Sequence, residues 1–171
     1  MYKSTNLPIA FVSIGSNINP RLHIKNALAA LENDFSVLKV SSIYESESVG
    51  FEGPNFLNLV VSFASHLSLP DLNQYLHTLE GIEGRERLNG KAWDSRTLDL
   101  DIILFGDMEG VVHGVELPRD EVVKHAHVLW PLEEIAGTKV HGPSEKTYSE
   151  LRRKTEFSRQ KIWIVDFKLK F

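Results

Sequence analysis

The sequence predicts an α+β sandwich of the split βαβ kind: one mainly antiparallel sheet with helices packed on it. Three observations lead there. Residues 9–14 and 98–105 are short apolar runs bounded by turn residues, the mark of strands. Residues 20–31 and 68–83 instead carry apolar residues at helical spacing. Taken in order, the elements read β-α-β-β-α-β, followed by additions at the C-terminal end.

The run at 9–14 stops at Gly15-Ser16-Asn17, a strand leading into a turn. Asn19-Pro20 then offers an N-cap with proline at the first helical position, and Leu22, Ile24, Ala27, Leu28 and Leu31 continue the helix. Two further strands are expected at 37–44 and 56–64, joined by a loop rich in Glu, Ser and Gly. In the second of them Phe56, Asn58, Val60 and Ser62 share one face. Ser68 and Pro70 open the second helix, whose stripe is Leu69, Leu72, Leu76 and Leu79. Residues 98–105 form the clearest strand, 111–117 an edge strand, and 129–136 a short helix opened by Pro131. A helix at 148–156 and a final alternating strand at 161–170 complete a ferredoxin-like arrangement.

With 171 residues, 42% of them hydrophobic and 25% charged, the chain suits one domain over 1–171 with a substantial core. The net charge of −4 and pI near 6.0 argue against a nucleic-acid partner, whose footprint is a basic face. The absence of cysteine excludes disulfides, thiolate nucleophiles and Cys-based zinc sites. The apolar run at 7–14 contains Pro8 and Ser13 and is too short to span a bilayer, and it lacks the flanks of a secretory signal. A cytoplasmic monomer with no membrane partner is the expectation.

The chemistry concentrates in the segment Trp93-Asp94-Ser95-Arg96-Thr97-Leu98-Asp99-Leu100-Asp101-Ile102. Residues two apart on a strand point the same way, so Asp99 and Asp101 share a face and Leu98, Leu100 and Ile102 take the other. Two carboxylates roughly 7 Å apart repel unless a cation sits beside them. Aspartate is also disfavoured in strands, so the pair is there at a cost. Hard oxygen donors of this kind suit Mg2+ bound together with substrate phosphates. Arg85, Arg87, Lys91 and Arg96 lie just upstream, and arginine's planar fork matches phosphate oxygens. The plainer alternative for both groups is a solvated strand face and loop with weak surface ion pairs.

Other motifs fail. The stretch 84–91 has five residues between its glycines where a phosphate-binding P-loop has four, and Ala92 stands where that motif needs a hydroxyl. No dinucleotide fingerprint or nucleophile elbow is present. His125-Ala126-His127 is a weak metal signal without a third ligand nearby. Asn58, on an apolar strand, is a buried amide that needs partners or recognises one.

Together these pieces resemble the 6-hydroxymethyl-7,8-dihydropterin pyrophosphokinase family, which moves pyrophosphate from ATP to a pterin alcohol in folate biosynthesis. The resemblance runs through Gly15-Ser16-Asn17, Ser41-Ser42-Ile43-Tyr44, Phe56-Leu57-Asn58, residues 80–87, residues 96–102 and residues 129–135. It implies that Asp99 and Asp101 hold two Mg2+ ions against ATP and that Arg85, Arg87 and Arg96 contact the polyphosphate. It places His77 and Glu80 at the ATP and Ile102 at the adenine. It sets the pterin against Phe56, Asn58, Ser46, Val49 and Trp93.

The chain departs from the family pattern in five places, one of them a residue inserted between Gly84 and Trp93. Ser46 and Ser48 replace a threonine and a proline, and Asp94-Ser95 replaces Gly-Pro before Arg96. Pro118-Arg119 replaces Pro-His, and His125-Ala126-His127 replaces Arg-x-Phe. Arg119 would then recover the lost cation beside His125 at the ATP, and His127 would take the place of the ring that stacks on the pterin. The expected enzyme is an ATP-dependent pyrophosphokinase. A non-catalytic nucleotide- or pterin-binding paralogue and a metal-dependent phosphodiesterase are the alternatives.

Overall fold

The computed structural model describes residues 7–36, 39–48, 50, 52–84 and 96–167. Its main sheet contains β1 (Ile9–Ser16), β2 (Lys39–Val40), β3 (Tyr44–Ser46), β4 (Phe56–Ala64), β5 (Asp99–Phe105) and β10 (Ile162–Ile164). The order is β10-β3-β4-β1-β5, with β2 also paired to β4, and every pairing is antiparallel. This is the α+β architecture that the sequence order predicts.

Each face of the sheet carries helices. The long helices α1 (Pro20–Phe35) and α2 (Leu69–Ile82) cover one face, meeting Ala10, Val12, Ile14, Leu59, Val61, Leu100 and Ile102 in the larger core. The shorter α4 (Ala126–Ala136) and α5 (Tyr148–Lys154), with α3 (Glu121–Lys124) leading into α4, cover the other face against Phe11, Val60, Ile103 and Leu104. The expected alternation along β5 is therefore observed, with Leu98, Leu100 and Ile102 buried on the α1/α2 side.

Several elements differ from the expectation. Asn19 does stand at the start of α1, but in a left-handed conformation (φ 44°) without a side-chain cap. The expected strand at 37–44 is divided: β2 and β3 lie end to end along β4, separated by Ser41 to Ile43. The Ser41 hydroxyl accepts the Val60 N–H at 3.0 Å, and a side-chain acceptor in place of a carbonyl interrupts the ladder.

The expected edge strand at 111–117 is instead a separate hairpin, β6 (Gly110–Val112) and β7 (Val115–Leu117). His113 and Gly114 both have positive φ there (48° and 78°), as a tight two-residue hairpin turn requires. Pro131 lies inside α4 and does not open it. The helix begins a turn and a half earlier, where Gln160 Oε1 accepts the Ala126 N–H at 2.8 Å. The helix expected at 148–156 ends at Lys154, where the Thr155 N–H returns to the Leu151 carbonyl. Of the final strand expected at 161–170, the described residues form β10, with 168–170 outside them; Val165 donates to the Ile43 carbonyl at 2.9 Å. A small ribbon of β8 (Val140–His141) and β9 (Lys146–Thr147) precedes α5. Among the described residues no helix is long and apolar enough to cross a membrane.

Candidate active site

On the α4 side of the sheet, toward the end where β1 runs out, polar residues replace the apolar ones. Register lines them up in rows. Gly15 of β1 lies between Asp99 of β5 and Asn58 of β4, and Asn58 pairs onward with Tyr44 of β3. One step along, Ser13 faces Asp101; toward the other end, Phe56 pairs with Ser46. Four strands thus contribute to one polar floor. Gly15 keeps it open: a methyl group there would sit 3.4 Å from Asn58 Oδ1 and 4.0 Å from both the Asp99 Cβ and the Phe56 ring.

The turn after β1 fastens this floor to its neighbours. Asn17 Oδ1 accepts the Arg96 N–H at 2.6 Å, and the Asn17 and Ile18 amides both donate to the Arg96 carbonyl. The other end of the same amide donates to the Pro54 carbonyl at 3.2 Å, just before β4. Ser16 Oγ donates to the Thr97 carbonyl at 2.5 Å. Ser16 and Asn17 therefore set the entries of both β4 and β5. The sequence marks them only as a turn, because these partners are 37 to 81 residues away.

Each aspartate has an arginine. Arg96 Nη1 is bonded to Asp99, and Arg119 Nη2 lies 2.5 Å from Asp101 Oδ1. Desolvation and the neighbouring Asp99 charge push the Asp101 carboxyl up to about 6, against the pull of Arg119. That is the signature of two acids crowded on one strand, and a cation relieves it. The donor set fits Mg2+, which takes one or two carboxylates and completes its shell with phosphate and water oxygens.

Beside the acids, His125 and His127 stack at 5.0 Å between ring centroids, where the chain enters α4. Burial and then the His125 charge push His127 down to about 4, opposed by Asp99; His125 is lowered as well, chiefly by burial. Asn58 is 5% exposed and donates to Ser46 Oγ at 3.0 Å, which confirms it as a buried amide. Phe56, next to it, is half-buried.

Two residues expected at the nucleotide are buried. The Ile102 side chain is 2% exposed in the α1/α2 core, on the opposite face from the acids. Glu80 of α2 is equally buried, and its Oε1 accepts the Leu100 N–H at 2.8 Å, tying the helix to β5. His77 sits half-buried on α2, three residues before Glu80. Arg85, Arg87, Val49 and Trp93, with Lys91 and Asp94, lie outside the described residues.

The family model described as 7,8-dihydro-6-hydroxymethylpterin-pyrophosphokinase (HPPK) matches residues 11–137, from β1 into the end of α4. A 2-amino-4-hydroxy-6-hydroxymethyldihydropteridine pyrophosphokinase from Synechocystis sp. is 37% identical over 145 residues, covering 83% of this chain and 73% of that protein. One from Bacillus subtilis is 36% identical over 131 residues, covering 74% of this chain and 77% of that protein. A Plasmodium falciparum HPPK-DHPS structure superposes with a TM-score of 0.69 at 13% identity, which shows the shared fold. The match covers 88% of this chain but only 42% of that longer one. The chain belongs to the 7,8-dihydro-6-hydroxymethylpterin-pyrophosphokinase family, the ATP-dependent pyrophosphokinases of folate biosynthesis.

Proposed function

We propose that this polar floor is where the chain brings ATP and 6-hydroxymethyl-7,8-dihydropterin together, with the acid pair of β5 at the phosphates and the Asn58 row at the pterin. The observation that carries the reading is the placement of Asp99 and Asp101 on one face of β5, each with its own arginine, with only β1 between them and a buried amide on β4. Asp99 and Asp101 would hold two Mg2+ ions. When bound, Mg2+ neutralises phosphate oxygens and so lowers the cost of charge in the transfer.

The chain's own residues do the rest by positioning. Arg96, with Arg85 and Arg87, directs its guanidinium at phosphate oxygens and steadies the group in transfer. His77, His125 and Arg119 stand on the ATP side. Asn58, backed by Ser46, offers a donor and an acceptor to the edge of a flat heterocycle, while Phe56 and His127 offer faces to it; the family resemblance adds Val49 and Trp93 to the pterin contacts. The pterin hydroxyl oxygen attacks the β-phosphorus of ATP, the bond from that phosphorus to the α–β bridging oxygen breaks, and AMP leaves. In-line placement of two bound substrates supplies much of the rate. We read the protein as a monomer working as a single unit over 1–171, its floor built by four strands of the same chain. A chain without cysteine fits the reducing cytoplasm.

The test is AMP release from ATP, with and without the pterin, in Asp99→Ala and Asp101→Ala. Turnover should fall on the order of 10²–10³ or more while the far-UV circular dichroism stays that of the parent. A near-parental rate in saturating Mg2+ would remove the acid pair from the mechanism. Release that ignores the pterin would mean hydrolysis.

A further inference from the structure

Arg119 is held in an unusual way. Its own N–H donates to the Ile103 carbonyl at 3.2 Å, and Ile103 is the residue that the β1–β5 register skips. This irregularity fixes the Arg119 backbone beside β5, two residues beyond Asp101. From there the guanidinium lies between two carboxylates: Nη2 is 2.5 Å from Asp101 Oδ1, and Nε is 3.7 Å from Glu121 Oε2. One belongs to the acid pair and the other to α3, outside it. The Arg119 and Glu121 side chains are 30% and 43% exposed, so the guanidinium can turn toward another acceptor within reach of water.

We propose that Arg119 is an exchangeable counter-ion, which occupies Asp101 until a nucleotide draws it away and thereby couples divalent-cation binding to nucleotide binding. The inference rests on the reading of Asp101 as a metal ligand given above. A cation arriving alone must displace a fixed positive charge from Asp101. A cation arriving with a polyphosphate finds the guanidinium offered other anionic oxygens, which it holds as well as it holds a carboxylate. Each ligand therefore raises the affinity for the other, and by linkage the factor is the same in both directions.

The experiment is a Mn2+ titration followed by electron paramagnetic resonance, on the whole chain alone and saturated with α,β-methylene-ATP. In Arg119→Gln the free protein should bind Mn2+ about tenfold more tightly, and the enhancement conferred by the nucleotide should shrink by a similar factor. An unchanged Mn2+ affinity overturns the proposal. So does equal tightening with and without nucleotide, which is the effect of a fixed charge that never moves. Asp101→Asn separates the two levels: it should lose Mn2+ binding in both states. If it binds Mn2+ as the parent does, the metal assignment fails and the exchange fails with it. If it loses binding while Arg119→Gln changes nothing, the assignment stands and only the exchange is wrong.

Discussion

His127 shows how one substitution in a family pattern changes the physics of a site. It stands where the family resemblance places a phenylalanine, and it is packed so that it stays neutral until about pH 4. In the unfolded chain the same ring takes its proton near 6.5. Between those values the unfolded state binds the extra proton and the folded state does not. Stability attributable to this residue is therefore constant above 6.5 and falls as pH drops toward 4, by at most about 1.4 kcal/mol per unit. His127→Phe should flatten that slope in urea melts between pH 6.5 and 4.5. It should also lower the KM for the pterin, because a larger apolar ring covers more of a flat ligand. A slope unchanged in the variant would place the titration elsewhere. Asp101 moves in the opposite sense. Its carboxyl holds a proton up to about pH 6, so cation affinity in the free protein should decline below that value and recover above it.

At the scale of elements, what the sequence reveals is what depends on near neighbours. The alternation of Leu98, Asp99, Leu100, Asp101 and Ile102 fixes which face each side chain takes, and the structure keeps that assignment residue for residue. Ser68 caps α2 by accepting the Asp71 N–H, as its position before Pro70 implies. The features that stay hidden depend on contacts distant in sequence. Ser41 breaks the strand at 39–46 only because Val60 is there to donate to it. Pro131 falls inside α4 and not at its start because Gln160, 34 residues from Ala126, opens the helix earlier. Glu80 reads as a ligand contact on an amphipathic helix, yet its position makes it the clasp between α2 and β5. Glu80→Ala leaves the Leu100 amide buried without its acceptor and should cost about 1–3 kcal/mol in denaturant unfolding. Glu80→Gln, which keeps an acceptor oxygen, should recover most of that; equal losses in both variants would mean that the charge, and not the clasp, matters.

For the molecule as a whole, the two faces of the sheet have different work. The α1/α2 face is apolar through its length and holds the larger cluster, while the α4/α5 face gives way to the polar floor at one end. Leu28 of α1 and Leu129 of α4 are both essentially inaccessible, at 1% and 0% exposure. Truncating either to alanine removes the same atoms and should cost about 2–5 kcal/mol, depending on how far each cavity collapses. Their effects on function should separate. Leu28→Ala weakens the layer on the face away from the pterin row, so KM for the pterin should stay near the parental value at temperatures where the variant is folded. Leu129 lies two residues past His127 on the helix that brings this ring to the floor, and small displacements of a reacting group cost rate steeply. Leu129→Ala should therefore raise KM for the pterin several-fold at a stability loss comparable to that of Leu28→Ala. Matched stability with divergent KM would show that the α4 layer positions the site. If KM shifts in parallel with stability in both variants, the site depends on the fold only in general and α4 has no privileged part in it.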